Sequence, residues 1–288
     1  MTSQSAAPAT AGQMSDYYSA MGALLQMAWG DNFHFGYWDG PSDTATIDEA
    51  TDRFTDMLTE RLRVGPGDRV LDLGCGVGKP ALRIAARTGA SVVGVTINAR
   101  HVELATERAR AEGRADQVSF RHADAMDLPF EDGSFDAVLA FESIIHMDRP
   151  TVLREVERVL VPGGRLALTD LTPLTDESNT PKSFRSLMGA SPGDESPSGQ
   201  GGDPDIATLI SAGAWPGLLS DASLTLDELN DVTEHTQGTF IRLFENFFKY
   251  RREFEREHGI TVEQVLDSAK SGAPTDGVGC LVVAAHKP

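Results

Sequence analysis

Val70-Leu71-Asp72-Leu73-Gly74-Cys75-Gly76-Val77-Gly78 is the stretch on which the reading of this chain turns. A short apolar run ends in three alternating glycines, and Pro80 then opens a helical pattern, proline being favoured in the first turn of a helix. Glycines at such a strand-to-helix corner allow a tight turn and let a ligand approach the backbone closely. A lone glycine-rich corner is a weak signal, so its neighbours decide what it serves. The spacing is G-x-G-x-G, whereas the dinucleotide fingerprint is G-x-G-x-x-G. Asp72 stands directly before the turn, where a carboxylate repels a pyrophosphate and suits a cationic amino group. A phosphate loop at Gly78-Lys79 fails as well, because Pro80 occupies the place of the magnesium-binding Ser or Thr.

Outward from this corner the chain alternates strand and helix. Strands are expected at 69–73, 91–95, 118–122, 135–141 and 165–170, and helices at 80–88, 99–112 and 152–160. Strands separated by helices imply a parallel sheet with right-handed crossovers. On the N-terminal side, residues 13–29 carry Met14, Tyr17, Met21, Leu24, Leu25 and Ala28 at helical spacing, and an aromatic loop, Asn32 to Trp38, follows. A second helix over 47–62 places Ala50, Phe54, Leu58 and Leu62 on one face. From 172 to 221 the pattern changes. Residues 191–204 are rich in Gly, Ser, Pro and Asp and read as a mobile loop, flanked by short helices at 184–188 and 206–219. Alternation is expected to resume near 231–236, with a phenylalanine-rich helix over 239–257 and a last strand at 279–285.

The 288 residues suffice for one large domain or a core with a small cap. The formal net charge of -18, with no basic run, argues against nucleic acid and anionic membrane, which both need clustered Lys and Arg. Two cysteines, Cys75 and Cys280, suggest neither a disulfide framework nor a metal site. Residues 1–11 are small and polar without an apolar core, so they read as a tail rather than a signal peptide, and a cytoplasmic location is the default expectation.

S-adenosylmethionine (SAM), with an ammonium, a sulfonium and no phosphate, meets the demands of the glycine corner. Asp72-x-Gly74-Cys75-Gly76-x-Gly78 resembles motif I of the class I SAM-dependent methyltransferases. Asp124-Ala125-Met126-Asp127-Leu128-Pro129-Phe130 with Ser134-Phe135-Asp136 resembles their third and fourth strand regions, and Arg158-Val159-Leu160-x-Pro162-Gly163-Gly164 the segment before the fifth strand. The resemblance runs from about Tyr17 to the C-terminus, weakens only in the insertion, and is strongest to small-molecule natural-product methyltransferases.

The resemblance implies a Rossmann-like α/β fold, a mostly parallel seven-stranded sheet flanked by helices with a helical cap or lid. It divides the chain into a tail (1–12), a helical cap (13–63), a SAM-binding core (64–171), a lid insertion (172–224) and a completion of the core sheet (225–288). It also implies roles. Asp72, Gly74 and Gly76 hold the methionine part of SAM; Asp124 accepts from the adenine amino group, with Ala125 and Met126 beside the ring. Phe141 lies near the methionyl portion, and Tyr18 closes over SAM. Many family members end strand two with an acid that grips the ribose; this chain has Thr96 there and His101 five residues on, which share that contact unless His101 is a plain surface residue of its helix.

Methyl transfer to oxygen benefits from a general base. His146 follows strand four at the carboxyl edge, where open α/β sheets place ligands, and Asp170 ends strand five on the same edge, placed to orient the imidazole. The competing reading has His146 merely packing a helix start. The resemblance implies two consecutive histidines here, and Ile145 takes the first place in this chain, so Glu142 is the alternative group to face SAM or the substrate. Phe33, Phe35, Tyr37, Trp38 and Trp215 either line an acceptor pocket or pack the cap. No cluster of metal ligands is apparent, so no metal is expected. The expected activity is methyl transfer, as O-methylation, to a hydrophobic small molecule of polyketide, macrolide or glycoside type. A SAM-binding cyclase on the same fold is the alternative, and a non-catalytic SAM-binding regulator ranks last.

Overall fold

The computed structural model describes residues 24, 27–174, 209–259, 261–262 and 278–288. Its seven strands form one sheet in the order β3-β2-β1-β4-β5-β7-β6. These are β1 (Arg69–Leu73), β2 (Ser91–Thr96), β3 (Val118–His122), β4 (Phe135–Ala140), β5 (Leu160–Pro173), β6 (Thr225–Asp231) and β7 (Val278–His286). Strands β1 to β5 pair in parallel, and β7 runs antiparallel between β5 and β6. The fold is thus the mostly parallel, helix-flanked sheet expected.

Helices cover both faces because both faces are apolar. On one side α1 (Ile47–Leu62) presses Ala50, Phe54, Leu58 and Leu62 onto the sheet. Its start is fixed by a capping box: Thr46 Oγ1 accepts from Glu49 N, and Glu49 Oε2 accepts from Thr46 N at 2.8 Å. The helices α2 (Lys79–Thr88) and α3 (Ala99–Ala111) follow β1 and β2, and α4 (Arg149–Val159) follows β4. The C-terminal helix α7 (Gly238–His258) adds Phe240, Leu243, Phe247 and Phe254 to the first core. The second core lies on the opposite face, where α4 and α5 (Trp215–Asp221) cover Leu71, Leu73, Val138, Leu166 and Leu281. Strand β7 is buried on both sides, which is why Val278 to Ala285 reads as an unbroken apolar run.

The strand alternation decides which edge groups can meet. Leu71 and Leu73 belong to the second core, so Asp72 between them projects toward the first. Phe141 and Leu171 also lie in the first core, whereas Leu168 lies in the second and Asp170 projects with it. Two carboxylates on the same sheet edge therefore stand on opposite faces.

Three expectations are corrected. The strand expected near 231–236 lies earlier, at Thr225–Asp231, and 233–236 is a short helix, α6 (Thr233–Thr236). As an edge strand, β6 needs only Leu226 and Leu229 to face the core and tolerates acidic residues between them. The strand β5 also extends beyond 165–170 at both ends. Finally, part of the expected lid belongs to the body: Trp215 and Leu219 are fully buried in the second core. The proposed mobile loop at 191–204 and the helix at 184–188 lie outside the described residues, as does Tyr18. Among the described residues, no helix is long and apolar enough to cross a membrane.

Candidate active site

The glycine corner is built as the sequence implies. Gly74 N and Cys75 N both donate to Val95 O at 2.9 Å, and Gly78 N closes the turn onto Cys75 O. Gly74 has φ +79, and a Cβ there would sit 2.2 Å from Ser143 Cβ, so only glycine fits. Ser143 Oγ in turn donates to Leu73 O at 2.6 Å, which stitches the ends of β1 and β4 together. Gly76 faces space with nothing within 4 Å of its would-be Cβ. Two residues before Gly74, Asp72 is 1% exposed, and its Oδ2 has no partner among the described residues. Burial raises its carboxyl to about 7, against an opposing hydrogen bond from the Ala81 backbone.

The next two strand ends close the same edge. Thr96 is buried, and its Oγ1 accepts from Asn98 N at 3.2 Å. Asn98 caps α3 by accepting from Arg100 N and His101 N, so His101 stands in the first turn of that helix, half-buried. Ala123 N donates to Thr96 O at 3.1 Å, bringing the end of β3 alongside. There Asp124 is exposed and folds its Oδ1 onto Met126 N at 2.8 Å; Ala125 is buried and the Met126 side chain stands in solvent.

Over the β1 and β4 ends lies the loop 31–38. Arg108 anchors it to the glycine corner, donating to Asp31 and to Val77 O. Trp29 Nε1 donates to His34 O, Gly36 N to Thr239 Oγ1 and Trp38 N to His235 O. Phe35 and Trp38 are buried in the core, Tyr37 stacks on His235 and Phe33 is exposed, so of the two aromatic readings packing holds for Phe35 and Trp38. Trp215 is likewise a core residue of the opposite face. His34 stacks on Phe141 with ring centroids 3.7 Å apart, and Phe54 meets the other side of Phe141 edge-on at 5.0 Å.

Glu142, just past β4, has φ +46, a left-handed backbone for a residue with a side chain. Its N donates to Thr169 Oγ1 and its Oε1 accepts from Phe35 N at 2.9 Å, while Oε2 is buried without a partner. Burial raises this carboxyl to about 8, with the charge of Asp170 adding to the shift. The cost of holding such a group is a mark of functional sites.

Asp170, expected to orient His146, has a different charged partner. Arg149, at the start of α4, takes both carboxylate oxygens of Asp170, at 2.7 and 2.8 Å, in a pair almost closed to solvent. Leu171 N adds a third donor at 2.8 Å. The physical reason is the strand alternation, which turns Asp170 toward the helix layer carrying Arg149. His146 itself lies exposed on a 3-10 turn, Ile144–His146, at the same edge. Sequence reading left out Asn32, His34 and Arg149. The signal for the first two was present: polar residues at alternate positions of an aromatic run.

A family profile described as a methyltransferase domain matches residues 71–168. Methyltransferase GfsG of Streptomyces halstedii is 43% identical over 232 residues, 79% of this chain and 78% of that protein. The 27-O-demethylrifamycin SV methyltransferase of Amycolatopsis mediterranei is 34% identical over 281 residues, 97% of this chain and 98% of the relative. Among solved structures, the [4+2]-cyclase SpnF superposes with a TM-score of 0.72 at 26% identity, covering 98% of each chain.

Proposed function

The chain belongs to the class I SAM-dependent methyltransferases, and from that premise we propose that it methylates a hydroxyl of a hydrophobic small molecule of natural-product type. The observation that carries the cofactor reading is a set of buried polar atoms without partners among the described residues: Asp72 Oδ2 and Glu142 Oε2 at the sheet edge, and His34 Nε2 and Asn32 Oδ1 in the loop over it. Buried polar atoms in folded proteins are paired, so such a cluster marks where a polar ligand belongs. Asp72 with the open corner at Gly74 and Gly76 suits the amino-acid part of SAM. Thr96 and His101 stand at the strand-two corner for the ribose, and Asp124, Ala125 and Met126 form the adjoining wall for the adenine.

When bound, SAM supplies a methyl group on a sulfonium, a good leaving group. What the chain supplies is position, exclusion of water and a proton acceptor. The ordered loop 31–38 covers the β1 and β4 ends, and Phe141 forms an apolar floor beneath His34. His146, exposed at the carboxyl edge, is placed to take the proton of an incoming hydroxyl; Asp170 supports it indirectly, through the Arg149 pair that fixes the start of α4. Glu142 keeps its proton to about pH 8 and so enters the site as a neutral acid near neutrality. The rifamycin relative, an O-methyltransferase by name over its whole length, supports oxygen as the atom methylated.

A second reading has one observation in its favour, the full-length superposition on a cyclase. The two differ in whether SAM is consumed. A reaction with SAM and candidate hydroxylated polyketides or glycosides should give methylated product and one S-adenosylhomocysteine (SAH) per turnover. Product formation with SAH in place of SAM would establish the cyclase instead.

A further inference from the structure

Two residues of the loop 31–38 carry ambiguous polar groups, and in both the hydrogen bonds remove the ambiguity. His34 Nδ1 lies 2.8 Å from Phe35 O. A carbonyl only accepts, so Nδ1 carries the proton and Nε2 is left as a bare lone pair. Asn32 places its Nδ2 on Thr51 Oγ1 at 3.2 Å. The Thr51 hydroxyl spends its own proton on Asp48 O at 3.1 Å, so it accepts from Asn32 and the free end of the amide is the oxygen. Both side chains are more than nine-tenths buried, and neither Nε2 nor Oδ1 has a partner among the described residues.

The loop therefore offers two fixed acceptors, carried over the glycine corner that Asp72 begins. It is held over the glycine corner by Arg108, which joins Asp31 to Val77 O. The Phe141 stack fixes the plane of the His34 ring. Three acceptors match a group with three hydrogens and a positive charge, which is an alkylammonium.

We propose that Asn32 and His34 are positioning residues for the α-ammonium of SAM, His34 through Nε2 and Asn32 through Oδ1, completing the shell that Asp72 begins. The inference rests on the SAM reading above and goes beyond it by assigning the cap loop a direct polar role in cofactor binding.

The test uses the whole protein and two ligands, SAH and its analogue lacking the α-amino group. In the wild-type protein labelled with nitrogen-15 histidine, the non-protonated Nε2 resonance of His34 should move upfield with SAH and stay with the deamino analogue. In calorimetry, His34→Phe, which keeps a ring to stack on Phe141, and Asn32→Leu should each weaken SAH about 10–100-fold, the worth of a hydrogen bond to a charged group. Affinity for the deamino analogue should stay within about threefold of wild type, which a general loss of structure would not allow. Equal losses for both ligands, no loss for either, or an Nε2 resonance indifferent to SAH would each overturn the proposal. No binding of SAH to the wild-type protein would sink the SAM reading itself. A raised KM for the methyl acceptor at unchanged SAH affinity would assign His34 to the acceptor hydroxyl and also overturn the proposal.

Discussion

Asp72 and His146 separate binding from chemistry at the level of single side chains. Asp72 is buried and half-satisfied, so its charge is held against the folded state until a cation meets it. Asp72→Asn should weaken SAH by about 100-fold, since a buried charge loses its partner, worth about 3 kcal/mol. The same change should leave the melting temperature of the ligand-free protein unchanged or raised, because the costly carboxyl is gone. Calorimetry and thermal unfolding on one preparation check both; retained affinity would undo the assignment of the glycine corner. His146 is exposed and lies in no core cluster, so His146→Ala should preserve both SAH affinity and stability. Turnover should fall about 10²–10⁴-fold, the usual worth of a general base. A fall below tenfold in single-turnover kinetics would move the base role elsewhere.

At the level of elements, the Arg149–Asp170 pair ties the first turn of α4 to the end of β5, immediately after the 3-10 turn that carries His146. Breaking a buried ion pair by removing one partner is costly, so Asp170→Asn should cost about 3–5 kcal/mol in denaturant unfolding. Arg149→Met together with Asp170→Leu should recover much of that, since an apolar pair of similar volume removes both charges. A single change costing under about 1 kcal/mol would show that the pair does not hold this junction. The same elements show what sequence can carry. The strands β1 to β4, the helices after them and α1 were legible, because each apolar run is bounded by glycine, proline or a cap such as Thr46. Asp72 was legible because its meaning is local to the glycine corner. The partner of Asp170 was not: it depends on which face of β5 the side chain takes and which helix covers that face. The alternation of Asn32 and His34 in an aromatic run was legible, but not the stack of His34 on Phe141, more than 100 positions away. The strand β6 escaped because an edge strand with two inward leucines shows little apolar signal.

Across the whole molecule, three buried titratable groups gather at one sheet edge in a chain of net charge -18, and their linkage to pH shapes stability. Asp72 rises from 3.8 to about 7 and Glu142 from 4.5 to about 8, both chiefly through loss of water. Each folded carboxyl binds protons more tightly than the unfolded one, so its stabilisation is complete below the unfolded value and is lost as pH rises through the folded one. His34 falls from 6.5 to about 3 by burial, with the charge of Lys79 adding to the shift, so its term is present above 6.5 and lost as pH drops toward 3. Between 4.5 and 6.5 two carboxyls oppose one imidazole, from 6.5 to about 7 the two carboxyls act alone, and from there to about 8 only Glu142 does. Repulsion within an acidic surface grows in the same direction. The melting temperature of the ligand-free protein should therefore decline from about pH 5 to about pH 8.5, most steeply near pH 6.5 to 7. Asp72→Asn combined with Glu142→Gln should flatten that decline. Added SAH, a cation at its amino end, should raise the melting temperature more at pH 8 than at pH 6, because the ionised carboxylates then meet their counter-charge. Scanning calorimetry of the two proteins, with and without SAH, reads all of this. A wild-type midpoint that rises from pH 6 to pH 8, or a double variant that keeps the full slope, would show that these buried acids do not govern the stability of the site.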